Sequence, residues 1–212
     1  AVNCGRPPHS IRLVAVAKTQ PVEIVKKAIE NGATIIGENY IQEARDKFNA
    51  LSNESVDWHF IGHLQTNKAK YAARMFELIH SVDSLKLAAE LNKQAAKLGK
   101  QQNILIQVNI SQESSKSGVT IEDTVSLIRQ ITEYKHINIH GLMTMPPYFD
   151  EPEKARPFFR ALRKLSDKIK KLNLPRVSME ELSMGMTGDF KAAIEEGATL
   201  VRIGTAIFGE RQ

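Results

Sequence analysis

Residues 12–18 read RLVAVAK, an apolar run of strand length that stops on a lysine. Comparable runs recur at 12–17, 34–38, 57–61, 78–82, 104–110, 137–143, 181–184 and 200–203, and helical periodicity fills the gaps between them. No Pro/Gly/Ser-rich linker or low-complexity tract interrupts the series. Eight alternating strand and helix units predict an α/β fold, a single (β/α)8 TIM barrel, with an open doubly wound sheet as the competing arrangement.

The predicted helices carry their own end signals. Pro21 opens the first, Ile24, Val25, Ala28 and Ile29 give it one apolar face, and Asn31-Gly32 closes it. Ser84 is placed to cap a helix whose face runs Leu87, Ala88, Leu91, Ala95, Leu98 up to Gly99. Thr120 precedes Glu122 and Asp123, acids suited to a helix N-terminus. A long helix is predicted over 153–172, where Phe158, Phe159, Leu162, Leu165, Ile169 and Leu172 recur at helical spacing and read as core.

Composition narrows the function. The chain has 212 residues, 42% of them hydrophobic and 25% charged, as expected of a folded globular domain. No apolar run is long enough to span a bilayer, and the opening AVNCGRPPHS lacks a signal-peptide core. The single cysteine, Cys4, excludes an internal disulfide, so a cytoplasmic location is expected. The net charge of +5 comes from lysines spread along helices, without interleaved aromatics, so no nucleic-acid partner is expected. No large uncommitted apolar stripe appears, which favours a monomer.

In a TIM barrel the residues at the C-terminal strand ends carry the chemistry. Lys18 sits there, and a desolvated amine at such a position is a nucleophile toward carbonyls; the alternative is that it marks the strand's exit into solvent. The seventh and eighth runs end in Ser183-Met184-Gly185-Met186-Thr187-Gly188-Asp189 and Arg202-Ile203-Gly204-Thr205, each setting glycine beside a hydroxyl residue. Loops after strands 7 and 8 often bind phosphate in this fold, so the two loops and Lys18 together describe a pocket for a phosphorylated carbonyl compound. His59 and His63 are four apart on a strand, a spacing that does not bring both to one metal. Glu38 and Asp83 lie near strand ends without a bracketing partner, and Lys116 lies in a polar loop whose role spacing does not give.

The segments LVAVAKTQP, GENYIQEA, WHFIGHLQTNK, VNISQESSKSGV, GLMTMPP, LSMGMTGDF and VRIGTAIFGER resemble, in order and spacing, the pyridoxal phosphate homeostasis protein family, also called the proline synthetase co-transcribed family. Thr187 departs from the serine usual in that family. The resemblance implies a barrel like the N-terminal domain of alanine racemase, with residues 1–10 the remnant of an N-terminal helix and linker and residues 11–212 the cofactor-binding barrel. It implies pyridoxal 5'-phosphate as cofactor, held as a Schiff base on Lys18. It also implies Asn39 near the ring, Arg202 at the pyridine nitrogen, and Ser183, Met184, Gly204 and Thr205 around the phosphate. The implied role is non-catalytic, in vitamin B6 and amino-acid homeostasis, with apo-enzymes that accept the cofactor as candidate partners. Two enzymatic readings compete: an amino-acid racemase, which needs a second base opposite Lys18, and a Schiff-base aldolase acting on a sugar phosphate.

Overall fold

All eight apolar runs form strands in the structure, a computed structural model that describes residues 1–113 and 116–209. The strands are β1 Arg12–Val16, β2 Ile35–Glu38, β3 Asp57–Phe60, β4 Leu78–Val82, β5 Gln102–Gln107, β6 Ile137–Met143, β7 Val177–Ser183 and β8 Leu200–Ile203. Each pairs in parallel with its sequence neighbour, and β8 returns to β1 through Leu13 opposite Val201, which closes a (β/α)8 barrel and excludes the open sheet. The helices are α1 Val22–Glu30, α2 Ile41–Ala50, α3 Ala69–Met75, α4 Leu85–Lys97, α5 Ile121–Ile131, α6 Arg156–Lys170, α7 Phe190–Glu195 and α8 Thr205–Phe208. Ser114 and Ser115 of the SSKSG stretch, and Glu210, Arg211 and Gln212, lie outside the described residues.

Strand alternation divides the core in two. Val14, Ile35, Ile61, Leu78, Leu105, Met143 and Leu200 pack together inside the barrel. Ala15, Ile36, Phe60, Ile79, Leu182, Met184 and Val201 lie in the larger cluster that also holds helix residues such as Leu91 and Phe159. The helix ends follow their signals. The Ala33 N–H donates to the Ala28 carbonyl past α1, and the Ser84 and Thr120 hydroxyls accept from the N–H groups of Leu87 and Asp123.

Several boundaries differ from the sequence reading. β7 begins at Val177, four residues before the predicted start, and its register against β6 slips along the way. Ile139 faces Val177 while Gly141 faces Glu181, and Met179 in the slipped stretch has φ 52. The interrupted period, with Glu180 and Glu181 in it, hides the strand. β5 starts at Gln102, whose buried amide donates to the Phe76 carbonyl at 3.2 Å, and it ends at Gln107 rather than Ile110. The predicted helix over 153–172 is a 3-10 turn, Pro152–Ala155, followed by α6; Phe158 is half-buried against Phe149, with ring centroids 5.8 Å apart. Residues 1–10 contain two 3-10 turns, Val2–Cys4 and Pro8–Ser10. Arg6 ties them down by donating to the Ile194 and Ala198 carbonyls at 2.7 Å. No helix among the described residues is long and apolar enough to cross a membrane.

Candidate functional site

A cavity of about 320 Å³ opens at the C-terminal ends of the strands. Lys18, Asn39, Arg202, Gly204 and Thr205 all line it, together with Val16 and Ile61 from the interior core and Met145, Tyr148, Thr187 and Gly188 from the loops after β6 and β7. The inward parity of Val14 and Val16 on β1 continues to Lys18, and that of Ile35 and Gly37 on β2 continues to Asn39.

The turn that carries Lys18 is held from behind. Thr19 has φ 63, an uncommon conformation for a threonine, and its N–H donates to Glu43 Oε2 on α2 at 2.8 Å. One turn along α2, the buried Lys47 ammonium donates to the Ala17 carbonyl at 2.6 Å and to Glu38 Oε1 at 2.7 Å, so it joins the ends of β1 and β2. Burial pulls the Glu38 carboxyl above its ordinary pKa, and the hydrogen bond from Lys47 holds it down against that pull. Glu38 is therefore an anchor beneath the site rather than an acid or base in it.

Asn39 presents a buried Oδ1 that finds no hydrogen-bond partner among the described residues. Gly62 explains how Asn39 is seated: a Cβ there would lie 2.3 Å from the Asn39 carbonyl oxygen, so only glycine lets the two backbones touch. Arg202 is buried; Nη1 donates to Ser183 Oγ at 2.6 Å and Nη2 to the Thr144 carbonyl at 2.9 Å. Burial brings its guanidinium pKa down to about 10, which still leaves it charged at neutral pH.

Ser183 and Met184 are not brought to the cavity wall. The Ser183 hydroxyl is fully buried between Arg202 and His80 Nδ1, the latter at 2.8 Å. Met184 has the opposite strand parity: its side chain packs under the helices and its N–H donates to the Leu200 carbonyl. The loop after β7 offers Thr187 and Gly188 instead. That loop is shaped by Gly185 at φ 91, and by Asp189 Oδ1, which accepts from the Met186 N–H at 2.6 Å. Gln20 on the wall was likewise missed, since it lies beyond the strand end on which the sequence reading concentrated.

The remaining candidates sit elsewhere. His63 lines two other depressions that Asn39 also borders, and Lys116 pairs with Glu113 at 3.2 Å. His59 is buried in the barrel, where burial and then Arg12 push its pKa down to about 3. Among the described residues no group of three His, Cys, Asp or Glu side chains is placed to hold a metal.

The family model for the alanine racemase N-terminal domain matches residues 6–212. A pyridoxal phosphate homeostasis protein of Aquifex aeolicus (strain VF5) is 44% identical over 208 residues, spanning 98% of this chain and 90% of its own length. PipY of Synechococcus elongatus PCC7942, solved without PLP, superposes with a TM-score of 0.90 at 34% identity, covering 98% of this chain and 96% of PipY. Its structure with PLP bound gives 0.89 at 33%, with the same coverage. An alanine racemase of Clostridium difficile 630, at 17% identity and TM-score 0.73, shares the barrel fold over 99% of this chain and 54% of its own. With a closed barrel, a lysine at the end of its first strand and near-complete coverage by these relatives, the chain belongs to the pyridoxal phosphate homeostasis protein family.

Proposed function

We propose that the cavity binds pyridoxal 5'-phosphate, held on Lys18, and that the protein serves intracellular vitamin B6 and amino-acid homeostasis without robust catalysis of its own. The observation that carries the proposal is the meeting of Lys18, Asn39, Arg202, Gly204 and Thr205 on one wall, with the buried Asn39 Oδ1 left unsatisfied. The donor set fits the group. The cavity volume lies in the range of small-molecule sites, an amine and a guanidinium face it from different strands, and Gly188 leaves open space where a side chain would stand.

When bound, pyridoxal phosphate supplies an aldehyde that condenses with a lysine amine as a Schiff base and a pyridine ring that takes up electron density. Lys18 Nζ binds at the aldehyde end. Thr205, Thr187 and the backbone around Gly204 and Gly188 suit the phosphate end. Arg202 suits the ring nitrogen, and because a guanidinium only donates hydrogen bonds it would hold that nitrogen unprotonated and so weaken carbanion stabilisation. A racemase would need a second base across from Lys18. Tyr148 is the tyrosine on the cavity wall, and at 87% exposure it stands on the solvent side of the mouth.

Titrating the purified protein with pyridoxal phosphate should produce visible absorbance with saturation. Lys18→Ala should lose that absorbance while keeping weaker binding. With L-alanine present, D-alanine formation should be negligible. A parent protein that stays colourless would refute the cofactor reading, and racemization at ordinary enzymatic turnover, lost in Lys18→Ala, would replace the carrier with a racemase.

A further inference from the structure

Behind the cavity, four polar side chains from four strands touch one another inside the barrel. Ser183 Oγ on β7 meets Arg202 Nη1 on β8 at 2.6 Å and His80 Nδ1 on β4 at 2.8 Å, and His80 Nε2 meets His59 Nδ1 on β3 at 3.0 Å. His59, His80 and Ser183 are buried and do not line the cavity. We propose that Ser183 and His80, with His59 behind them, are positioning residues for Arg202, joined to its guanidinium by a hydrogen-bond chain that runs in one direction only.

The direction follows from the donor inventory. A guanidinium has no acceptor, so Arg202 donates to Ser183. Ser183 Oγ could accept a second bond, but its own buried proton meets no acceptor among the described residues other than His80 Nδ1, so satisfying that proton directs it there. His80 therefore carries its proton on Nε2 and donates to His59 Nδ1, and His59 carries its own on Nε2. Protonation of His80 would set an N–H against the Ser183 hydroxyl and undo this order, so both imidazoles must be neutral. Their surroundings enforce that: burial, each other, Arg202 and Arg12 all disfavour a charge on His80.

The other arm of the fork is fixed as well. Nη2 donates to the Thr144 carbonyl, and the Thr144 hydroxyl donates to the Val108 carbonyl at 2.9 Å. With two nitrogens committed to the interior, the planar fork has one orientation, and its remaining edge is available to the cavity that Arg202 lines. An apolar interior would pack without the risk of unpaired polar groups, so a continuous hydrogen-bond chain ending on a cavity residue points to orientation as its use.

What the chain does to a bound ligand rests on the pyridoxal phosphate reading; its direction does not. Long-range 1H–15N spectra of the unliganded full chain, labelled at histidine, read the tautomers at pH 7. Both His59 and His80 should be neutral with the proton on Nε2, and Ser183→Ala should mix the His80 tautomers. In that variant the dissociation constant for pyridoxal phosphate should rise about three- to tenfold, with a shifted absorption maximum of the bound ligand. A charged imidazole or an Nδ1–H tautomer in the parent would overturn the proposal. So would a Ser183→Ala protein with unchanged tautomer, affinity and spectrum. Failure of the parent to bind pyridoxal phosphate would instead remove the cofactor reading, while the parent tautomers would still decide the chain.

Discussion

Thr205 follows Gly204 directly at the end of β8 and lines the cavity, whereas Ser183 on the neighbouring strand is turned inward to Arg202 and His80. Two hydroxyls that look alike in sequence therefore differ in effect. If the cavity holds the phosphate as proposed, Thr205→Ala would remove a hydrogen bond to it, and calorimetry should find pyridoxal phosphate affinity lowered by roughly tenfold to a hundredfold. An affinity within about twofold of the parent would mean that Thr205 only shapes the turn. Ser183→Ala acts through the guanidinium and should cost less. Lys18 and Asn39 were legible as strand-end residues, and the structure shows why they line the cavity: inward parity continues past the ends of β1 and β2, whereas Arg202, inside β8, was given only by the family resemblance. The Met184 side chain packs in the outer core instead, because residues adjacent on a strand point to opposite faces. The Ser183–His80–His59 chain was not legible, since its members lie more than twenty residues apart and meet only when the barrel closes.

α2 does more than cover β2. Its Lys47 and Glu43 hold the Ala17 carbonyl and the Thr19 N–H on either side of Lys18, while Lys47 also neutralises Glu38. Lys47→Met leaves a buried carboxylate without its partner and should destabilise the barrel by about 3–5 kcal/mol in urea unfolding. Adding Glu38→Gln to that variant should recover much of the loss; equal midpoints for parent and Lys47→Met would show that the pair carries nothing. At the start of α5, Thr120→Ala removes the hydroxyl that accepts from the Asp123 N–H and should cost about 1 kcal/mol by the same measurement. The caps were readable because they are local signals. The extent of β7 was not, because Met179 at φ 52 and the slipped register against β6 interrupt the alternation that marks a strand.

Closing the barrel places His59 and His80 where they cannot charge, and the whole molecule inherits a pH dependence from them. Burial, then Arg12, lowers His59 to about 3; burial, then His59, Arg202 and Arg12, lowers His80 well below its ordinary value. In the unfolded chain both imidazoles take up protons below about 6.5, while the folded chain refuses them. Their contribution is thus complete above that pH and is lost as pH falls, at about a factor of ten in the folding equilibrium per pH unit per imidazole. Urea midpoints should drop between pH 7 and pH 5, and His80→Phe should flatten the drop; a slope unchanged in that variant would place the protons elsewhere. Lys18 at the mouth of the same barrel decides whether the cavity is the cofactor site at all. The protein should be incubated with pyridoxal phosphate, reduced with borohydride and digested, and the modified peptide located by mass. The pyridoxyl group should be found on Lys18, whereas its presence on another lysine, or on none, would contradict the assignment of this cavity.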